Sequence, residues 1–81
     1  MPTFMDVHED LKLPREAIEE IAREAMEGKS DQFGVRQVEL FHNPMGKVYC
    51  VLEAPDEAAV RAHHEALGVS CGQVDRVETL A

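Results

Sequence analysis

Apolar positions follow two rhythms along this chain, and the stretch from Gly46 to Gly68 contains both. From Lys47 to Glu53 the chain is rich in β-branched and aromatic residues. Val48, Cys50 and Leu52 make one alternating set, and Tyr49 and Val51 the other. A strand apolar on both sets is expected to be covered on both faces. Ala54-Pro55-Asp56 then stops it, because Pro55 has no N–H to give and Asp56 can accept from the first free amides of a helix. The spacing predicts a helix from about Asp56, with Val60, His63, His64 and Leu67 at i, i+3, i+4 and i+7 and Gly68 as a left-handed terminator.

The same reading extends to the flanks. Thr3 to Glu9 alternates as a strand, with Thr3, Met5 and Val7 expected to face the helices and Phe4, Asp6 and His8 to face away. Asp10 to Leu13 is expected to be a loop. Pro14 opens a helix whose stripe is Ile18, Ile21, Ala22, Ala25 and Met26 and which ends at Gly28. After the polar loop Gly28 to Gly34, a second strand spans Val35 to His42, with Val38 and Leu40 opposed to Gln37, Glu39 and Phe41. Asn43-Pro44-Met45-Gly46 has the residues of a type I turn, which makes a hairpin with the strand from Lys47. Val74 to Leu80 is a last strand of mixed polarity, expected at an edge.

Strand, helix, strand, strand, helix, strand is the split βαβ order of an α+β, ferredoxin-like βαββαβ fold. It predicts one domain over residues 1–81, with a four-stranded antiparallel sheet in the order 4-1-3-2 and two helices on one face. Phe4, Phe41, Tyr49 and Val51 would then lie on the open face. A homodimer that packs two such faces together is the simplest cover for them.

Charge narrows the partners. A formal net charge of −8 repels phosphate backbones and anionic bilayers, which argues against nucleic acid and membrane surfaces. No signal-peptide pattern opens the chain and no apolar run approaches the roughly 20 residues of a bilayer span, so the expected location is cytoplasmic. Cys50 and Cys71 lack C-x-x-C spacing and are read as free thiols, Cys50 as a small buried hydrophobe. No nucleophile with an adjacent base and no glycine-rich phosphate loop is present, which disfavours hydrolase, kinase and dinucleotide roles.

The topology carries His8, His42, His63, His64 and Cys71 to one pole. His42 is the outlying member, because a strand intervenes and places it about 10 Å from His8. Asp6 and His8, two apart on one strand, can offer a carboxylate oxygen and an imidazole nitrogen to one cation. His63 could join them from the helix, although the alternation turns His8 the other way. The bland reading of the histidine pair is one partly buried ring donating to a backbone carbonyl beside a solvated neighbour.

Four segments resemble a known family: Met5-Asp6-Val7-His8-Glu9, Phe33-Gly34-Val35-Arg36, the centre from Gly46 to Asp56, and the histidine-bearing helix that ends in Gly68. The family is that of small bacterial nickel-binding ferredoxin-like proteins, widely known only as a domain of unknown function. The resemblance implies a dimer with a divalent-metal site of histidine and acidic ligands, with nickel as the ion. It supports Asp6 and His8 from the opening segment and His63 from the helix. The chain departs at Leu67, where the family carries a further histidine. Either His64 serves from the neighbouring turn or the ligand set is one short, so the candidate metal residues are Asp6, His8, His63 and His64. The function implied is non-catalytic buffering or sensing of a divalent cation. The alternative is a dimeric α/β-barrel type enzyme or small-molecule-binding protein with His8 or His63 as general base, which requires an apolar pocket beside a histidine.

Overall fold

The computed structural model of the chain describes residues 1–9 and 13–80. Its elements are β1 (Thr3–His8), α1 (Arg15–Glu27), β2 (Arg36–His42), β3 (Val48–Glu53), α2 (Glu57–Leu67) and β4 (Val74–Val77). The strands form one antiparallel sheet in the order β2-β3-β1-β4, which read from the other edge is the expected 4-1-3-2. The loop expected over Asp10 to Leu13 lies, apart from Leu13, outside the described residues.

Local chemistry sets the boundaries. The Pro14 carbonyl accepts from the amides of Ala17 and Ile18 and so starts α1. Asp56 caps α2, its Oδ1 accepting from the Ala59 amide at 2.8 Å. Gly68, with φ 72°, ends α2 in the left-handed conformation that lets its own amide and the next one close back on Glu65 and His64. In the hairpin turn the Asn43 carbonyl accepts from Gly46 N, while its side chain accepts from Met45 N and Lys47 N.

The core lies between the sheet and the helices. Phe4, Val48, Cys50, Leu52 and Val74 supply it from the strands, Val60 from α2, and Val35 and Ala54 from the strand ends. β1 presents its faces the opposite way from the expectation: Phe4, Asp6 and His8 are buried against the helices, and Met5 and Val7 look outward at 36% and 38% exposure. The register explains the reversal. Phe4, Asp6 and His8 stand opposite Leu52, Cys50 and Val48, the buried set of β3, and cross-strand partners share a face. Phe4 therefore belongs to the core, and the open face carries Met5, Val7, Phe41, Tyr49 and Val51.

Three smaller corrections follow. A bulge between Gln37 and Glu39 inserts Val38 into β2, so Gln37 joins Leu40 on the helix side although simple alternation opposes them. The Gln37 side-chain nitrogen Nε2 donates to the carbonyls of Glu39 and Val51 beside the bulge. Met26 is 90% exposed, so the packed stripe of α1 stops at Ala25. β4 ends at Val77 and not Leu80, because Val77 already pairs with Thr3, the first residue of β1.

Candidate metal centre

Two elements bring the chemistry together. β1 points the Asp6 and His8 side chains to the helix side, two residues apart on one face. α2 anchors itself by Val60, fully buried, and one turn later places His64 over β1 at 4% exposure. The His64 Nδ1 lies 2.7 Å from the Val60 carbonyl oxygen. A carbonyl only accepts, so Nδ1 carries a proton and Nε2 is the atom turned to the cluster.

Three electron-rich atoms converge there. Asp6 Oδ2 lies 2.5 Å from His64 Nε2 and 2.8 Å from His8 Nε2, and the two Nε2 atoms are 3.2 Å apart. Despite these short distances neither Asp6 oxygen has a partner with hydrogen-bond geometry, and Asp6 is only 2% exposed. A buried carboxylate facing two imidazole nitrogens needs a shared positive charge, which either a proton on a ring or a metal ion supplies. Without a metal the proton fills that role. Burial by itself would raise the Asp6 carboxyl, but His64 and then His8 outweigh it and hold it well below the usual carboxylate range. Burial likewise pulls His64 down, and its contacts with Asp6 and the Val60 carbonyl reverse the sign and raise it.

Both cysteines reach the same carboxylate. Asp6, His8 and Cys50 form one group of potential ligands, and Asp6, His64 and Cys71 form another, with the donor atoms of each group within 4.8 Å of one another. Cys50 stands directly across from Asp6 in the β1–β3 register. Burial and the Asp6 charge push its thiol up to about 12. Burial also raises Cys71, which is half-buried in the connection between α2 and β4. Both cysteines are free and Cys50 is buried, as expected, but that reading did not anticipate their placement beside Asp6. The signal for Cys50 was available in the pairing of alternating sets, once the faces of β1 are assigned correctly.

His63 packs edge-on against His64, with ring centroids 5.6 Å apart, and borders the same gap as His8 and Cys50, but its Nδ1 is turned to another partner; His42 stands apart from the cluster. His63 Nδ1 meets Asp31 Oδ2 at 2.5 Å, while Asp31 Oδ1 accepts from the amides of Phe33 and Val35. Asp31 is thus a clasp on α2 that spacing did not reveal. Burial raises its carboxyl, and His63 followed by the Val35 and Phe33 amides brings it down below its ordinary value. His42 is exposed at the far side of Val48 from His8.

Space near the cluster is limited. The gap between sheet and helices at His8, Cys50 and His64 is about 20 Å³, too small for an organic substrate. A cleft of about 410 Å³ opens at the rim, walled by Val7, His8, Glu9 and the Gly68–Gly72 connection. A separate cleft of about 240 Å³ lies beside His63 and Asp31, between the helices and the loop before β2. Among the described residues no helix is long and apolar enough to cross a membrane.

Fold and cluster together define a ferredoxin-like α+β protein with a buried histidine–carboxylate–thiol group suited to a divalent transition metal. The family model described as nickel responsive protein SCO4226-like matches residues 4–77, and the chain belongs to that family. The chain is also similar in structure to SCO4226 from Streptomyces coelicolor A3(2). The TM-score is 0.72 at 23% identity, over 98% of this chain and 99% of that one, a likeness of fold. No curated protein matches the chain significantly.

Proposed function

We propose that this protein binds a divalent transition metal, nickel in the first instance, through Asp6, His8 and His64, and buffers or senses the ion without catalysing a reaction. The observation that carries the reading is the convergence of Asp6 Oδ2 and two imidazole Nε2 atoms within 3.2 Å, with both carboxylate oxygens buried and lacking hydrogen-bond partners. Two nitrogens and a carboxylate oxygen, with a thiol from Cys50 or Cys71 nearby, suit nickel, zinc or copper(II). Membership of a family described as nickel responsive favours nickel among them. His64 thereby serves from the turn before Leu67, and His63 stays with Asp31.

Titration of the apo protein with nickel tests this. A ligand at 100 times its dissociation constant adds about 2.7 kcal/mol to folding stability, so the melting temperature rises with nickel concentration. A melt indifferent to nickel, zinc, copper and cobalt contradicts the proposal. We further propose that a second copy of the chain covers the open face, which the exposure of Met5, Val7 and Phe41 favours.

The cleft beside His63 supports a second reading, a small-molecule site. Asp31 holds the ring through Nδ1, so the other ring nitrogen of this cleft-lining histidine would serve as the general base. Soaking or NMR titration with a fragment set checks it: shifts confined to His63, Phe33 and Leu67 support a ligand there, and no shifts remove it.

A further inference from the structure

The two helices seat on the sheet unequally. α2 buries Val60 and His64, whereas Ile18, Ile21, Ala22 and Ala25, the apolar stripe of α1, are only half-buried. Between α1 and the β2–β3 hairpin this leaves a groove of about 550 Å³, larger than the clefts beside His63 and His8, with Ile18, Ala22, Leu40 and Val48 in its lining. The basic residues Arg15 and His42 also line it, and no acidic residue does, on a chain of net charge −8. Arg15 gives its Nε to Glu19 in an exposed pair, so its terminal nitrogens can still meet an incoming carboxylate.

One side of the groove is an edge of the sheet, because β2 has a neighbour only in β3. Asn43 N donates to Lys47 O, so these two form a hydrogen-bonded pair at the end of the hairpin. In the register that continues through His42↔Val48, Phe41↔Tyr49 and Leu40↔Cys50, His42 and Leu40 are then the residues whose main-chain groups face away from β3. The Ala54 N to Pro2 O bond sets the same phase from the other side, giving the even residues of β3 to β1 and leaving Tyr49 and Val51 for β2. The N–H and C=O of Leu40 and His42 therefore point out of the sheet beside the groove that these residues line. No lysine or proline guards residues 40–42, the usual means of blunting an edge.

We propose that α1 and β2 form a docking groove for a short extended peptide, which adds as a strand beside residues 40–42, sets an apolar side chain into the groove and offers a flanking carboxylate to Arg15. Alternating donors and acceptors along an edge match another main chain, and an acyl chain or aromatic acid in the groove would leave them unmet. Alternation sends the neighbouring side chains of the peptide to the other face of the sheet, where Phe41 is 55% exposed. The bulge at Val38 and the turn after His42 keep the usable edge short, so the fit is to a few residues. None of these residues belongs to the metal centre, and the inference is independent of it.

The probe is the acetylated and amidated pentapeptide Glu-Leu-Val-Leu-Glu, whose symmetry serves either strand direction. Titrated into labelled protein and followed by NMR, it should shift the amides of Ile18, Ala22, Leu40, Phe41 and His42 and leave that of Val7 in place. Two N-methylated forms, one at both leucines and one at the valine, block opposite edges of the peptide backbone. Strand addition predicts that one form binds about tenfold more weakly while the other stays within about threefold of the parent. His42→Pro removes an outward N–H without breaking the ladder to β3, and should also weaken binding by about tenfold. The peptide series uses the native protein and decides the matter even where that variant does not fold. Equal binding of the two N-methylated forms overturns the inference, as does a folded His42→Pro that binds like wild type. A pentapeptide that shifts none of these amides at millimolar concentration overturns it too, and octanoate shifting them in that case assigns the groove to a small organic acid.

Discussion

The two faces of β1 make an instructive contrast. The inner face carries Phe4, Asp6 and His8 and the outer face Thr3, Met5 and Val7, so the more polar set is inside and the more apolar set outside. A strand governed only by apolar burial would be turned over. What pins the observed setting is the pairing of Phe4 with Leu52, together with the ring of His64, which arrives on α2 to meet Asp6 and His8. Burying an unpaired carboxylate costs several kcal/mol, so a sheet that holds one inside must meet it with positive charge. The inner face is therefore built around an electrostatic centre. The outer face is built as a surface to be covered.

The largest effect expected from breaking this contrast is at Asp6. Asp6→Asn removes the charge that two imidazoles face, and should destabilise the apo protein at pH 5.5 by about 3 kcal/mol in chemical denaturation, the usual cost of breaking a buried ionic pair. The loss should shrink as pH climbs through the raised His64 value.

The pH profile of wild-type protein sharpens the same point. The His64 pKa is raised by folding, so its contribution is complete below the ordinary histidine value and is lost as pH climbs through the folded one. The Asp6 pKa is depressed, so its contribution is present above the ordinary carboxylate value and fades only in strong acid. Apo stability should accordingly peak on the acid side of neutrality and decline from about pH 6.5 upward. Nickel competes with the shared proton, so nickel-loaded protein should be stabilised more as pH rises. A flat apo profile between pH 6 and 8 would count against the charged cluster.

The outer face should respond differently and less. Val7→Lys places a charge among Met5, Tyr49 and Phe41 without touching the core. Sedimentation should show loss of self-association, with monomer stability changed by no more than about 0.5 kcal/mol. A wild-type protein that sediments as a monomer at high concentration argues against a second copy on this face.

These differences also mark what was legible in the chain. The elements, their order and the strand neighbours followed from period, caps and turns, because Pro14, Asp56, Gly68 and the Asn43–Gly46 turn act locally. The polar pole followed from topology, since strand direction is a consequence of element order. The faces of β1 did not, because a period of two reports that sets alternate and leaves open which set is inside. The bulge at Val38, the clasp of Asp31 on His63 and the approach of both thiols to Asp6 depend on register and side-chain direction between distant segments. Once His8 is placed inward, the proposed choice between the paired histidines is favoured by geometry: His64 Nε2 lies 3.2 Å from that of His8, and His63 Nδ1 turns to Asp31 in the loop before β2.

That choice is also where the account is most exposed. Nickel stoichiometry and affinity by calorimetry, compared between His64→Ala and His63→Ala, test it directly. The expected result is that His64→Ala loses most of the binding while His63→Ala keeps wild-type stoichiometry. Retention of binding in His64→Ala with its loss in His63→Ala would contradict the cluster around Asp6.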